Sequence, residues 1–134
     1  MSTFVGIDYG SKRVGVAVTD KSGSVAFPKA SFPNDRTLVP SLVALLRHEN
    51  AQTVVIGSSQ NREGADNAIM PRVRRFAVDL QQAIAVTVRF EPEFYSSAEA
   101  RKTSGKAVVD AEAAAIILNS FLSRTKGTPE ETPA

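Results

Sequence analysis

A short apolar run, Gln52–Gly57 (QTVVIG), restricts the fold most, because it lies between two segments whose apolar residues have helical spacing. A run of this length that is apolar on both faces is typical of a strand buried in the centre of a sheet. Helices before and after such a strand act as crossovers to neighbouring parallel strands. The sequence therefore predicts an α/β fold whose later strands lie parallel.

The first part of the chain predicts an antiparallel meander. Two β-forming runs, Thr3–Tyr9 and Arg13–Thr19, are separated by Gly-Ser-Lys, a link of hairpin length. A turn leads to a third run, Val25–Phe32. Pro28 within this run favours an edge strand, because proline cannot donate a hydrogen bond to a neighbouring strand.

Helices and strands alternate in the rest of the predicted order. They are a helix capped by Asn34 or Asp35, the strand Gln52–Gly57, a helix after the loop Ser58–Gly64 that ends near Ala83, a strand Val86–Glu91, a short helix capped by Ser96 or Ser97, and a helix Val109–Leu122. The last helix should bury Ala113, Ile116, Ile117 and Phe121. The order βββαβαβαα predicts one mixed sheet in a single domain, residues 1–124, followed by a disordered tail, residues 125–134.

Composition disfavours several classes of function. The chain of 134 residues has no cysteine, and its single histidine, His48, lies at the polar end of a predicted helix, so zinc sites and Ser-His-Asp triads are disfavoured. No apolar run reaches the roughly 20 residues of a membrane span, and no signal-type segment precedes the first strand. We therefore expect a cytoplasmic protein with no membrane partner. The net charge of +2 is compatible with a polyanionic partner.

Three carboxylates are predicted to meet at one edge of the sheet. Asp8 follows the apolar run FVGI, where an ionised side chain is costly unless it is paired or binds a metal. Glu91 or Glu93 lies where the fifth strand ends, the edge at which α/β sheets bind ligands. Asp110 begins the last helix, and Glu112 is a nearby additional candidate. The structural alternatives are an Asx turn at Asp8 and an interaction with the helix terminus at Asp110.

Such a carboxylate cluster is usually tolerated because a bound cation offsets the mutual repulsion. Oxygen ligands alone favour Mg²⁺ or Mn²⁺. Two such ions can activate a water molecule and stabilise the leaving oxygen of a phosphodiester. The carboxylates therefore predict a metal-dependent enzyme that hydrolyses nucleic acid.

An ordered set of motifs spans nearly residues 3–122. They are VGIDYGSKRVGVAVTD at 5–20, VVIG at 54–57, VRRFA at 73–77, Glu93 with SSAEA at 96–100, and Val109-Asp110 with the alanine-rich helix that follows. This set resembles the YqgF family, also called RuvX, within the RNase H-like superfamily. Only the first motif is specific by itself, and the order of the others strengthens the resemblance.

The resemblance implies an RNase H-like sheet ordered 3-2-1-4-5 and a metal site formed by Asp8, Glu93 and Asp110, which selects Glu93 over Glu91. It also implies a nuclease that matures the precursor of small-subunit (16S) ribosomal RNA. Some members are instead associated with the resolution of Holliday junctions, which are branched DNA. Junction enzymes commonly act as homodimers, because a four-way junction suits a two-fold symmetric protein.

Candidate contacts to nucleic acid come from loops and strand ends near the carboxylates: Tyr9, Lys12, Arg13, Asn61, Arg62 and Arg101. Basic side chains can hold phosphates, and an aromatic ring can stack on an unpaired base. The chain departs from the family in two respects. Its fourth-strand loop has Ser59 where the family usually has proline. The family pattern Asp-Glu-Arg is here Pro-Glu-Phe, so that Phe94 replaces a phosphate-binding arginine for which Arg89 or Arg101 could substitute.

Two other classes of function remain open at this point. Sugar-kinase and actin-like ATPases begin with a similar Asp-x-Gly hairpin, although they close two such domains over a nucleotide. A non-catalytic nucleic-acid-binding module of the same fold is the second alternative, and the replacement of arginine by Phe94 makes it plausible. Metal-dependent cleavage distinguishes both from the nuclease.

Overall fold

A five-stranded mixed sheet with helices on both faces is the framework of the molecule. The computed structural model describes residues 3–59, 68–93 and 106–126. Their elements are β1 Thr3–Tyr9, β2 Arg13–Thr19, β3 Ala26–Pro33, α1 Leu38–Glu49, β4 Ala51–Ser59, α2 Met70–Ala83, β5 Thr87–Glu93 and α3 Lys106–Lys126. The strand order is β3-β2-β1-β4-β5, which confirms the predicted order.

The central strand β1 joins the two halves of the sheet. It pairs antiparallel with β2, which pairs antiparallel with β3, and it pairs parallel with β4, which is parallel to β5. Alternate residues of β1 face opposite layers, as the strand period requires. Val5 and Ile7 pack in the cluster with α1 and α2, whereas Phe4 packs in the cluster with α3. Gly6 and Asp8 therefore share the α3 face.

Helix α1 begins later than the sequence predicts. Its N-cap is Thr37, so the prediction that Asn34 or Asp35 caps this helix is wrong. The Asp35 carboxylate instead accepts hydrogen bonds from the hydroxyl and backbone N–H of Thr37, and these keep the pKa of Asp35 below its ordinary value. Asn34 donates through Nδ2 to the carbonyl oxygen of Gly10 at 2.7 Å, which ties the end of β3 to the first hairpin.

The last helix is longer than predicted at both ends. It begins at Lys106 and continues to Lys126, which is two residues into the segment predicted as a tail. Ile116, predicted to be buried, is 42% exposed, because it lies about 200° around the helix from the buried Ala114 and Leu118. The short helix predicted at Ser96 or Ser97 and the tail beyond residue 126 lie outside the described residues. Among the helices that are described, none has the length and apolar character needed to cross a membrane.

Helix α3 lies directly on the sheet backbone at two glycines. A Cβ atom at Gly6 would come within 2.8 Å of Leu118 Cβ and 2.9 Å of the Ala114 carbonyl oxygen. A Cβ atom at Gly15 would lie only 1.9 Å from the carbonyl oxygen of Asp110. Any side chain at Gly15 would therefore push the helix backbone away, and with it Asp110.

We expect Gly15→Ala to lower the free energy of unfolding by about 3 kcal/mol, because the added methyl group overlaps helix backbone that has no rotamer to adopt. Gly6→Ala should cost less, since its clash includes the side chain of Leu118 and is about 1 Å less severe. Urea denaturation of the two variants beside the wild type measures both effects. Equal stability of Gly15→Ala and wild type would contradict the close packing.

Candidate functional site

The site is built around a row of residues that cross three strands. Asp8 of β1 pairs with Gly15 of β2, and Gly15 pairs with Ser31 of β3. The backbone of α3 at Asp110 occupies the space above Gly15. Asp8 and Asp110 are both buried, at 4% and 6% exposure. The structure thus brings two of the three predicted carboxylates to the same glycine.

The Asp110 carboxylate is held by neighbours from the first two hairpins. Its Oδ2 accepts a hydrogen bond from Ser31 Oγ at 3.3 Å and lies 3.3 Å from Arg13 Nε. Arg13 Nε also donates to Ser31 Oγ at 3.2 Å, so that the three side chains form a closed set of contacts. Arg13 places positive charge beside this buried carboxylate, which is the compensation that burial of a charge requires.

Asp110 lies in the second turn of α3, because the helix begins four residues earlier at Lys106. The sequence predicts Asp110 at the start of the helix. At that position the positive end of the helix dipole would stabilise an acidic side chain even if it had no function. That effect falls off within the first turn. Arg13 and Ser31 contribute to the stabilisation of the Asp110 carboxylate in its buried position. Glu112 is two residues further on and points to another side of the helix.

Glu91 has a separate role at the far end of α3. It is 4% exposed, and its Oε1 accepts hydrogen bonds from Arg124 Nε at 3.0 Å and Nη2 at 2.6 Å. Its Oε2 accepts a hydrogen bond from Ser120 Oγ at 2.9 Å. Ser120 is ten residues beyond Asp110, roughly 15 Å along the helix. Glu91 is therefore engaged in holding α3 on β5 and is remote from Asp110.

Glu93 ends β5 and pairs with Ser59 of β4. It has the same parity as Glu91, so its position in the strand lies on the α3 face, at the edge where the carboxyl ends of β4 and β5 meet. Its side chain lies outside the described residues. Within those residues, no group of three or more His, Cys, Asp or Glu side chains is arranged to hold a metal ion.

The two carboxylates that are described suit a hard divalent cation. They supply oxygen ligands in a buried setting, the donor chemistry that Mg²⁺ and Mn²⁺ prefer. A positive group already lies against one of them, the guanidinium of Arg13. The oxygen donors of Asp8 and Asp110 therefore fit a metal of this class in their chemistry.

The predicted nucleic-acid contacts fall in several places. Lys12 is exposed in the first hairpin, and Arg13 is turned toward Asp110. Tyr9 lies on the opposite face of the sheet from Asp8, where its ring packs against Phe76 at a centroid distance of 4.9 Å. Asn61, Arg62 and Arg101 lie outside the described residues.

The sequence does not single out the partners of the buried carboxylates. Ser31 contacts Asp110, and Ser120 and Arg124 contact Glu91. Ser31 contacts Asp110 only because β3 pairs with β2 in a register that sets it opposite Gly15. Such a register depends on pairing across the whole sheet. The helical spacing of Ser120 and Arg124 was a weak signal that both face the same partner.

Comparisons with known proteins agree on one family. A family model described as RuvX, Holliday junction resolvase, matches residues 2–124. A protein of Nitratidesulfovibrio vulgaris strain Miyazaki F is 37% identical over 98% of this chain and 99% of its own length, and one of Lawsonia intracellularis is 34% identical over 92% and 94%. Both carry names that mark them as candidate pre-16S rRNA nucleases.

Solved structures support the same fold at low sequence identity. RuvC of Thermus thermophilus, in complex with a Holliday junction substrate, superposes with a TM-score of 0.62 at 14% identity, covering 96% of this chain and 98% of RuvC. The fowlpox virus Holliday junction resolvase gives a TM-score of 0.52, also at 14% identity, over 91% and 99% of the two chains. At this identity the superpositions establish the fold alone. The family model over residues 2–124 and the relatives at 37% and 34% identity show that this chain belongs to the RuvX family.

Proposed function

We propose that this chain is a divalent-metal-dependent nuclease of the cytoplasm that processes the precursor of 16S ribosomal RNA. The observation that carries the proposal is that two buried acidic residues adjoin the same glycine: Asp8 pairs with Gly15 in the sheet, and the backbone of Asp110 lies against it. The names of the curated relatives supply the substrate. We assign the nuclease domain to residues 1–126, because α3 continues two residues past the predicted boundary, and the tail to the residues that follow α3.

The metal ligands in this proposal are Asp8, Glu93 and Asp110. A bound Mg²⁺ or Mn²⁺ supplies activation of a water molecule and stabilisation of the leaving oxygen of the phosphodiester. The protein's part is to hold oxygen ligands rigidly in a site shielded by α3. Asp8 is fixed by its pairing with Gly15 of β2 and by the pairing of the preceding residue, Ile7, with Ile56 of β4. Asp110 is fixed by the helix backbone against Gly15.

Positive side chains next to the carboxylates would bind the RNA backbone. Lys12 is exposed on the hairpin that follows Asp8, so its ammonium group can reach a phosphate without loss of an internal contact that stabilises the fold. Arg13 can do so only by leaving Asp110. We also propose Asn61, Arg62 and Arg101 as contacts to the nucleic acid. Arg89, which is exposed on β5, is a substitute for the arginine that Phe94 replaces.

Resolution of Holliday junctions is the second candidate function. The description of the matching family model and the junction in the RuvC complex favour it. A homodimer would place two carboxylate sites on the paired strands of a four-way junction. Metal requirement does not separate the two functions, because both reactions cut a phosphodiester.

We expect Asp8→Asn and Asp110→Asn to reduce the rate of cleavage by about 10³-fold each, equivalent to about 4 kcal/mol, because each removes a charged metal ligand. The assay compares labelled pre-16S rRNA fragment and a synthetic four-way DNA junction in Mg²⁺, Mn²⁺ or EDTA. Faster metal-dependent cutting of the RNA supports processing, and faster cutting of the junction supports the second candidate.

Glu91→Gln is the matched control for these two variants. It also neutralises a buried carboxylate on the α3 face, but this carboxylate already accepts hydrogen bonds from Arg124 and Ser120. We expect it to keep at least about half of the activity and to lose roughly 1 kcal/mol of stability. If Asp8→Asn cuts as fast as the wild type, or if Glu91→Gln is as inactive as Asp8→Asn, the assignment of the ligands is wrong.

We expect Arg13→Gln to bind Mn²⁺ about 3- to 10-fold more tightly, because the metal no longer displaces a guanidinium from Asp110. Isothermal titration calorimetry measures this affinity independently of cleavage. Lys12→Gln controls for the loss of one positive charge from the same hairpin and should change the affinity by less than about 2-fold. Unchanged or weaker binding by Arg13→Gln would show that Arg13 does not compete with the metal.

A further inference from the structure

A cleft lies at the same edge of the sheet as Asp8 but on the opposite face. Its volume is about 460 Å³, within the range of clefts that hold a small organic ligand. It lies between the starts of α1 and α2, at the end of β1. Its lining includes Tyr9, Phe76 and three arginines, Arg36, Arg72 and Arg75.

The charges around this cleft favour an anion. Three arginines line it, against the two carboxylates of Asp35 and Asp79. Arg75 and Asp79 pair with each other at 3.2 Å and so contribute no net charge. The Asp35 carboxylate, which accepts hydrogen bonds from Thr37, offsets one of the other two arginines, so that the lining keeps one net positive charge. Arg36 and Arg72 are exposed and can turn toward a ligand. Guanidinium groups bind phosphate with paired N–H donors, so the cleft suits a phosphate group.

An aromatic surface lies beside these arginines. Tyr9 is partly exposed, its ring is supported from below by Phe76, and the guanidinium carbon of Arg72 lies 6.0 Å from the ring centroid. Aromatic rings and guanidinium planes are the groups on which proteins stack unpaired bases. A phosphate site next to a stacking surface has the chemistry of a nucleotide site.

The backbone joins this cleft to the carboxylate site. Tyr9 follows Asp8, and their Cα atoms are about 3.8 Å apart, although their side chains point to opposite faces. A polynucleotide that crosses the carboxyl edge of β1 can therefore present one phosphate to Asp8 and Asp110 and a neighbouring nucleotide to the cleft. Asn34 lines the cleft and holds Gly10 at 2.7 Å, which fixes the strand end between the two sites.

We propose that the cleft of Tyr9, Arg36, Arg72 and Arg75 binds one unpaired nucleotide. The base stacks on Tyr9, and Arg36 and Arg72 bind its phosphate. Arg75 joins them by exchanging its exposed pair with Asp79 for the phosphate. The proposal rests on the proposed nuclease function for the source of that nucleotide, an unpaired stretch of the substrate strand next to the cut. A free nucleotide has the same chemistry, so the test includes both sources.

The test measures binding in EDTA, where no cleavage occurs, of a fluorescent single-stranded RNA of about eight nucleotides and, separately, of AMP. Arg72→Gln with Arg75→Gln should weaken RNA binding about 10-fold and flatten the dependence of log affinity on log salt concentration by about one unit. Tyr9→Leu should weaken RNA binding about 5-fold or more, and Tyr9→Phe should restore it, because stacking needs only the ring.

Arg74→Gln is the matched control, because Arg74 is an exposed arginine on the same helix that does not line the cleft. It should bind within about 2-fold of the wild type. If the double variant binds RNA and AMP as the wild type does, or if Arg74→Gln weakens binding equally, the proposal is overturned. If AMP binding alone depends on the arginines, the cleft takes a free nucleotide and the source named here is wrong.

The same variants separate this proposal from the nuclease function. One outcome is that the wild type cuts with no metal and the Arg72/Arg75 variant loses RNA binding. That outcome would support nucleotide binding in the cleft and refute the nuclease function. Metal-dependent cutting that is unaltered in rate and affinity in that variant would support the nuclease and refute the cleft.

Discussion

The contact of α3 with the sheet backbone at Gly15 is the constraint on which the candidate site depends. Asp8 belongs to the central strand and Asp110 to a helix that follows much later in the chain, and Gly15 is the residue that both adjoin. The contact leaves no space for a side chain, so the helix cannot slide or rotate there without a clash. At the other end, Glu91 with Arg124 and Ser120 holds the same helix on β5. Helix α3 is thus fixed at two points, and the carboxylate of Asp110 is fixed with it.

The spacing of apolar residues along the sequence was sufficient to predict most of the fold. The bounds of β1 and β2 agree with the predicted runs, because their apolar alternation and the glycine-containing link are both local signals. The start of α1 was predicted wrongly, since Asn34 is engaged by Gly10 in a hairpin distant in sequence. Ile116 was placed inward from apolar character, although its angle around the helix puts it outside the buried stripe.

The acidic residues of the candidate site were predictable from the sequence, but the side chains that contact them were less so. Asp8 was identifiable because an acid in an apolar strand needs compensation. Glu91 and Glu93 have the same parity, and what distinguishes them is the contact of Glu91 with Arg124 in a helix that no local pattern relates to β5. The contact of Ser31 with Asp110 depends on strand register, which a single sequence does not specify. The ligand role of Glu93 rests on the family resemblance.

The order of the elements along the chain determines when the proposed enzyme can become active during its own synthesis. The ribosome makes β1 early and α3 late, so the newly made strand carries Asp8 long before Asp110 exists to join it. The two strands that flank β1 in the sheet, β2 and β4, also precede α3. A nascent or truncated chain that ends before α3 lacks a complete ligand set. The proposed nuclease would thereby be unable to attack the message from which it is being translated until α3 has emerged and packed.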